Sequence, residues 1–471
     1  MNRSLFCVCA ATACAVGPDF VRPAPPAGQA YVGEPAEGKS SRFDVSRRLP
    51  ADWWRLFGCA PLDAAVRDAL ANNAGLQASE ATLRRSQHLM RAGAGVFYPQ
   101  LDARAAASRQ RYNPAPDTLP ASTFNLFTLS GTITYTLDLW GGQRRAVESL
   151  AAQVDAARYT LAGAQVMLVA NVADAIFARA AYVAEREAIE ASLNLVAQQR
   201  RIAEAQARAG TAPYANVIAV DSQLAAMEAL LPPLDQKIDQ AGHLLAVLLG
   251  RAPPISGLPP VALDAVLLPK DLPLTLPSDL VRERPDILVA EAQLHAANAA
   301  IGVATAAMLP NITLSGSFGS NATSTGSLFA ANSPVWNLAA GLTAPIFHGG
   351  TLAEERSAAI ETREASAALY RQTVLEAFAQ VADALRAIEH DGDLLAAQEK
   401  AVRASRETVR LLQANYQAGV ATYLQVLAAD VLLLQAQVGY AQAVGQRLQD
   451  TVALYAALGG GWWNASSRGE P

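Results

Sequence analysis

The sequence predicts an internally duplicated protein in which long α-helices lead to the strands of a membrane β-barrel, closed by sister subunits. Three observations predict it. The chain repeats its landmarks about two hundred residues apart, long Pro-free stretches carry helical spacing, and short segments alternate apolar with small polar residues.

The repeat extends to single positions. Gly210, Tyr214, Val217 and Asp221 return as Gly419, Tyr423, Val426 and Asp430, and Leu249 and Gly250 as Leu458 and Gly459, all at an offset of 209 (419 − 210). Upstream, Glu80, Ala81 and Pro99 return as Glu291, Ala292 and Pro310 at an offset of 211 (310 − 99), so two extra residues sit inside one copy. A unit this long is a duplicated half-domain rather than a solenoid repeat. It sets a first copy over 61–250 and a second over 278–459, with a Pro-rich linker at 251–277 and a tail at 460–471.

Composition narrows the class. With 471 residues, 51% hydrophobic and 17% charged, the chain has apolar material for a large folded body. A net charge of −5 and a pI near 5.7 give no electrostatic reason to expect nucleic-acid binding. No window of about 18 apolar residues is free of charge and Pro, so a spanning helix is not expected and any crossing falls to strands.

The N-terminus reads as an export signal over 1–13: Arg3, a short apolar run from Leu5 to Ala11, then small residues up to Ala13. Small residues immediately before Cys14 resemble the lipobox of bacterial lipoproteins, in which that cysteine becomes N-terminal and acylated. The alternative is an ordinary signal cut nearby, with Cys14 a bystander. Cys7 and Cys9 leave with the signal, and the remaining Cys59 has no partner for an internal disulfide. Pro23, Pro25 and Pro26 make 14–60 an extended, lipid-anchored tether or equatorial segment, with ordered structure expected from about Trp53.

Helix is expected from 61 to about 96. From Gly142 to Ala209 an Ala-rich stretch without Pro would run ~100 Å as one helix. Beyond the break at Gly210 to Pro213, Val217, Val220, Leu224, Met227, Leu231, Leu234, Ile238, Ala241, Leu245 and Leu248 alternate three and four apart. That period is the signature of a coiled-coil seam, which Pro232 and Pro233 should kink or break. The second copy repeats the plan over 278–308, 351–418 and 423–458, its seam read as Leu424, Leu427, Val431, Leu434 and onward to Tyr455.

Strands are expected near 99–111, 127–139, 310–320 and 336–347. In the second, Leu129, Ile133, Tyr135 and Leu137 alternate with Ser130, Thr132, Thr134 and Thr136. Each segment is near the ~9–11 residues that a tilted strand needs to cross a bilayer. A two-layer soluble sheet with one wet face is the competing reading. Four strands are too few to close a barrel, since about eight is the minimum, so the chain must oligomerise if it spans; three copies would supply twelve.

Enzymatic chemistry finds little footing. Residues Gly33 to Ser40 match the phosphate-loop pattern by letter, but Pro-rich chain precedes them, no periodic helix follows, and Glu34 and Glu37 would repel a polyphosphate. His88, His243, His295, His348 and His390 are far apart and show no metal-ligand spacing. No catalytic residue, cofactor or metal site is expected.

Tyr98-Pro99, the run from Leu137 to Gly142, Leu248 to Arg251, Arg284 to Asp286, Gly419 to Leu427, and Cys14 to Pro23 with Asp52 to Trp54 together resemble the hallmarks of the TolC/OprM family of outer-membrane efflux channel lipoproteins, in its NodT-like subgroup. The resemblance covers essentially the whole mature chain. It implies a lipid-anchored homotrimer with a twelve-stranded outer-membrane β-barrel continuous with a periplasmic α-helical barrel. It also implies a periplasmic adaptor and an inner-membrane pump of the RND type as partners, beside outer-membrane lipid. The implied function is a passive exit duct for small toxic organic molecules. A protein-secretion duct, a heavy-metal efflux duct or a soluble periplasmic coiled-coil scaffold are the rivals, and five Met residues without a Met-rich run offer no support for copper or silver.

By resemblance the turns Gly210, Thr211, Ala212 and Gly419, Val420, Ala421 form the rim that docks the adaptor, though glycine there also suits a plain helix C-terminus. Leu424 falls where leucines narrow the periplasmic aperture. Gln425 and Ala428 fall where relatives commonly carry acidic residues, a departure that puts a carboxylate ring in doubt. Closure is expected to rest on packing around Leu424, with Gln425 hydrogen bonds.

Overall fold

The computed structural model describes residues 15–24, 42–44, 49–113, 121–253, 261–269, 271–273 and 277–463. In chain order these form β1 (Arg42–Asp44), α1 (Ala60–Asn72), α2 (Ala74–Ala94), β2 (Gln100–Tyr112), β3 (Ser122–Leu137) and α3 (Gly142–Arg208). Then come α4 (Ala215–Glu228), α5 (Leu231–Leu248), β4 (Asp271–Pro273), α6 (Pro277–Glu283), α7 (Pro285–Ala307), β5 (Asn311–Ala322), β6 (Pro334–Thr343), α8 (Thr351–Gln417) and α9 (Tyr423–Ala457). Helices α3 and α8 are each 67 residues long, and their first residues lie 209 apart (351 − 142). Cys14 and the stretch Gly33 to Ser40 lie outside the described residues.

Several boundaries differ from the sequence reading for local reasons. The helix expected over 61–96 is two, because Asn73 takes an extended conformation between them. Its Oδ1 accepts the Leu76 N–H at 2.9 Å, starting α2, while its Nδ2 donates to the Leu248 carbonyl at 2.9 Å. The helix after Gly210 stops at Glu228 and restarts at Leu231, with Pro in its first turn, where the missing N–H costs nothing. The helix expected at 278 divides at Arg284, the residue before Pro285, which that ring disfavours from the α conformation. β3 begins at Ser122 rather than 127, and β6 ends at Thr343 rather than 347.

The chain divides into two compact units. One holds the described parts of 1–23, 82–158 and 289–371; the other holds those of 24–81, 159–288 and 372–471. In the first, β2, β3, β5 and β6 form one antiparallel sheet in that order. The described stretch 15–24 of the expected tether is held against the helices there. The Val16 N–H donates to the Trp140 carbonyl at 2.9 Å, Asn298 Nδ2 donates to the Pro18 carbonyl at 2.8 Å, and Arg145 pairs with Asp19 at 2.6 Å. Phe20 stacks on His295 with ring centroids 4.3 Å apart, and Arg22 meets Glu291 at 2.8 Å. Gly17, at φ +90°, lies so close that a Cβ on it would stand 2.5 Å from the Gly302 Cα. Polar groups on two helices hold this strap, which is why composition alone did not show it.

The second unit contains the main core. Trp53, Phe57, Phe177 and Tyr455 are fully buried, with Trp53 and Tyr455 rings 5.3 Å apart and Phe57 and Phe177 rings 4.9 Å apart. Each such side chain contributes on the order of 2–3 kcal/mol of burial energy. Leu62, Val66, Ile388, Leu448 and Val452 belong to the same cluster, as does the buried, unpaired Cys59. β1 pairs in parallel with β4 in this unit, so order begins before Trp53.

One expectation fails on composition. Among the described residues four helical stretches, Gly142–Arg208, Ala215–Leu248, Pro285–Ala307 and Tyr423–Ala457, are long and apolar enough to cross a membrane, contrary to the expectation that none could. One or two charges within such a window do not abolish its apolar character. In Gly142–Arg208 and Pro285–Ala307, 56% of the apolar window is buried in the fold, as expected of helices packed on several sides. Hydropathy therefore does not choose strands over helices, and the strand pairing must.

Candidate channel wall and aperture

The strands carry the first part of the site. Pairing sets Leu137 opposite Ile312 and Ile312 opposite Leu342; Tyr135, Leu314 and Ala340 form the next row, then Ile133, Gly316 and Leu338, then Gly131, Phe318 and Trp336. On β2, Leu101 faces Ile133 and Ala103 faces Gly131, so these apolar rows of all four strands share one face, with Phe124, Leu126 and Val335 the large apolar exceptions on the other. The other face carries Thr132, Thr134, Thr136, Thr313, Ser315 and Ser317. Side chains alternate at period two, so a slip of one residue in any pairing would scatter this division. Leu338, Leu342, Trp336 and Phe318 are more than two-thirds exposed within the chain, and among the described residues β2 and β6 each leave one edge without a partner strand. A long apolar edge of this kind invites another strand.

The helix turns form the second part. The Gly210 N–H donates to the Ala207 carbonyl at 3.1 Å and Thr211 N–H to Gln206 at 3.0 Å, with Gly210 at φ +75°. In the other copy Gly419 donates to Tyr416 at 3.0 Å and Val420 to Asn415 at 2.9 Å, with Gly419 at φ +76°. Both are Schellman closures, in which glycine supplies the left-handed residue that ends a helix. Open space surrounds both glycines, and Thr211 and Val420 are exposed, while Ala212 and Ala421 are half-buried.

A shared cluster holds the ends of these helices together. Val196 and Ala203 of α3, Val217, Val220 and Met227 of α4, and Tyr423, Leu427 and Leu434 of α9 pack as one group. The Tyr416 hydroxyl donates to Gln206 at 2.7 Å, and Tyr416 and Tyr423 rings lie 5.6 Å apart. Inside the cluster Gln199 Nε2 donates to Asp430 Oδ2 at 2.6 Å, and the Tyr423 hydroxyl donates to Gln199 Oε1 at 3.1 Å. All three residues are buried, and Asp430 Oδ1 has no partner. Burial pushes the Asp430 carboxyl above its ordinary range, against the stabilising Gln199 donor, and pushes the Tyr423 phenol up as well. Sequence reasoning matched Asp221 with Asp430 but missed Gln199, which carries no motif.

Leu424, Gln425 and Ala428 all lie on the exposed face of α9, with Leu424 69% exposed. The buried face instead runs through Tyr423, Val426, Leu427, Asp430 and Leu434. The seam read from sequence holds at Leu427, Leu434, Ala441, Gly445, Leu448, Val452 and Tyr455, which are buried, while Leu424 and Val431 are exposed. Gln425 acts locally, since its Oε1 accepts the Thr422 N–H at 2.8 Å in a capping box that starts α9. Among the described residues no group of three or more His, Cys, Asp or Glu side chains is placed to hold a metal ion.

An in-register sheet with one apolar face and two open edges, on a chain whose duplicated helices end in matched turns, is the build of one protomer of an outer-membrane channel. The chain belongs to the outer membrane efflux protein family, whose profile matches residues 65–251 and 276–460. It is 32% identical over 433 residues to the pyoverdine export outer membrane protein OpmQ of Pseudomonas aeruginosa, covering 91% of this chain and 90% of that one. It is 29% identical to the toluene efflux pump outer membrane protein TtgC of Pseudomonas putida, covering 97% and 94%. The fold matches the solved outer-membrane channel OprN with a TM-score of 0.87 and 29% identity, over 95% of this chain and all of that one.

Proposed function

We propose that three copies of this chain form the outer-membrane exit duct of an efflux system, passing small organic molecules delivered by an inner-membrane pump through a periplasmic adaptor. The sheet carries this reading. Four strands with a common apolar face leave β2 and β6 open, and joining β6 of one copy to β2 of the next around a threefold axis gives twelve strands with no free edge. The small polar residues of the opposite face then line water. The names of relatives, given for pyoverdine and for toluene, support organic cargo. Oligomer mass in detergent, with heat-modifiable mobility on gels, tests the assembly, and a purely monomeric species would sink it.

Finer assignments rest on this frame. Cys14 is acylated and anchors the mature N-terminus. The turns at Gly210, Thr211 and Ala212 and at Gly419, Val420 and Ala421 receive the adaptor, where glycine lets a partner backbone approach. Leu424, exposed beside Ala428, meets its symmetry mates at the aperture and closes it by apolar packing, while Gln425 serves the helix cap. Leu424→Ala is expected to raise the single-channel conductance of the resting state in a planar bilayer, and unchanged conductance would remove Leu424 from the gate.

A further inference from the structure

β2 does not stay apolar along its length. Leu101, Ala103, Ala105 and Ala107 lie on the apolar face, and the same period of two brings Arg109 and Arg111 onto that face at the strand's far end, opposite Asn125 and Thr123. The depth of these two residues follows from β3. Its apolar-face run from Phe127 to Leu137 covers ~34 Å along the strand, or ~26 Å along the membrane normal at a tilt near ~40°. That is the height of a barrel's lipid-facing band. Ala107 pairs with Phe127, the last row of the band, so Arg109 stands one row beyond it and Arg111 two.

This end of the sheet is the one away from α3, where the β2 to β3 and β5 to β6 connections lie. In the duct reading it meets the outer leaflet. We propose that Arg109 and Arg111 bind the phosphate groups of anionic lipid in that leaflet, a proposal that rests on the spanning sheet above. Both side chains are exposed, and among the described residues neither is ion-paired. The helical end of the sheet differs. Arg144 there is bonded to Asp138 at 3.1 Å, and Arg145 to Asp19 at 2.6 Å and Glu148 at 2.8 Å.

Among the described residues of the sheet's apolar face, the arginines are Arg109 and Arg111, both at this rim. Two residues apart on a strand, the forks stand ~7 Å from one another, a spacing that serves two phosphates of one headgroup or of adjacent lipids. The planar fork suits bidentate phosphate binding, and its stem lies along apolar chains while the head reaches the headgroup layer. Arg104 shows the contrast: it pairs with Ser130 on the opposite face, toward water.

The test uses the full-length protein in nanodiscs of phosphatidylcholine alone, or with added diphosphorylated lipid A, and reads the melting temperature. Wild type is expected to gain about 3 °C or more with lipid A, Arg104→Gln to keep that gain, and R109Q/R111Q to lose it. An equal gain in R109Q/R111Q would overturn the proposal. So would a gain from inorganic phosphate in plain phosphatidylcholine discs, which would mark a free-anion site instead. If wild type does not enter discs of either composition, the spanning reading itself falls and this proposal with it, an outcome distinct from entry without a lipid A response.

Discussion

Asp221 and Asp430, 209 residues apart (430 − 221), are held by neighbouring residues of a single helix. Arg200 of α3 pairs with Asp221, and Gln199 of α3 donates to Asp430 at 2.6 Å. One strut therefore ties the fourth and ninth helices at equivalent points of the two repeats. The chemistry of the two ties differs: the Arg200 pair is well exposed, whereas Asp430 is 5% exposed.

That difference predicts unequal mutants. Gln199→Leu strands a buried carboxylate without its donor and is expected to cost roughly 1–3 kcal/mol. Arg200→Leu removes a solvent-screened pair and should change stability little. Melting temperatures of the two variants check the order, and equal losses would contradict the burial argument.

Stability should fall on the alkaline side because of a second buried acid. Asp391, 8% exposed, is pushed up to about 7, first by burial and then by hydrogen bonding to and repulsion from Asp450, with Arg447 of α9 opposing. Asp174 of α3 is likewise pushed up to about 7 by burial and by Asp450. A carboxyl whose folded value lies above its unfolded value favours the fold while protonated. The penalty appears as pH rises above the unfolded value near ~4 and is complete above about 7. Asp391→Asn is expected to stabilise the protein at pH ~8, by roughly 1–2 kcal/mol, and to do nothing at pH ~4. A pH-independent effect would show that titration at this site does not govern stability.

Arg284 should be intolerant of replacement. Its side chain is 7% exposed and bonds Asp286 at 2.5 Å, Gln380 at 2.8 Å and the Ala457 carbonyl at 3.0 Å, linking α7, α8 and the end of α9. Arg284→Met strands the buried Ala457 carbonyl, while Asp286, 46% exposed, and the exposed Gln380 regain water, for a loss of about 1–3 kcal/mol. Arg284→Lys cannot reach them as a fork and should recover less than half of it. Thermal unfolding of both variants decides this, and a Lys variant as stable as wild type would show that the fork geometry is not needed.

Gly302→Ala is expected to lift the N-terminal strap. An added Cβ would meet the Val16 carbonyl oxygen at 2.7 Å and Arg145 Cγ at 2.6 Å. Limited proteolysis should then cleave within 15–24 faster than in wild type while the rest of the chain resists. Unchanged cleavage would show that the groove yields to accommodate a methyl group.

Patterns with a short period were legible in the sequence. The alternation on β3 and β5 marked both strands, and the repeated glycines marked helix ends whose closing bonds turned out to match pair by pair. Asn73 was not legible, because its effect comes from a side chain reaching the Leu248 carbonyl 175 residues away. The start of α9 was half legible. Resemblance singled out Leu424 and the repeat singled out Asp430, but the buried face of α9 is set by its packing on α3, which leaves Leu424 outside it.

By itself the sequence determined the duplication, the helix-ending turns and the two-faced strands, because each depends on residues within a few positions of one another. Only tertiary structure decided that Gln199 meets Asp430, that Arg145 and Asn298 clasp the N-terminal segment, and that Arg109 and Arg111 continue the apolar face of the sheet. The physical reason is that burial, pairing and free charge are properties of surfaces brought together from distant parts of the chain.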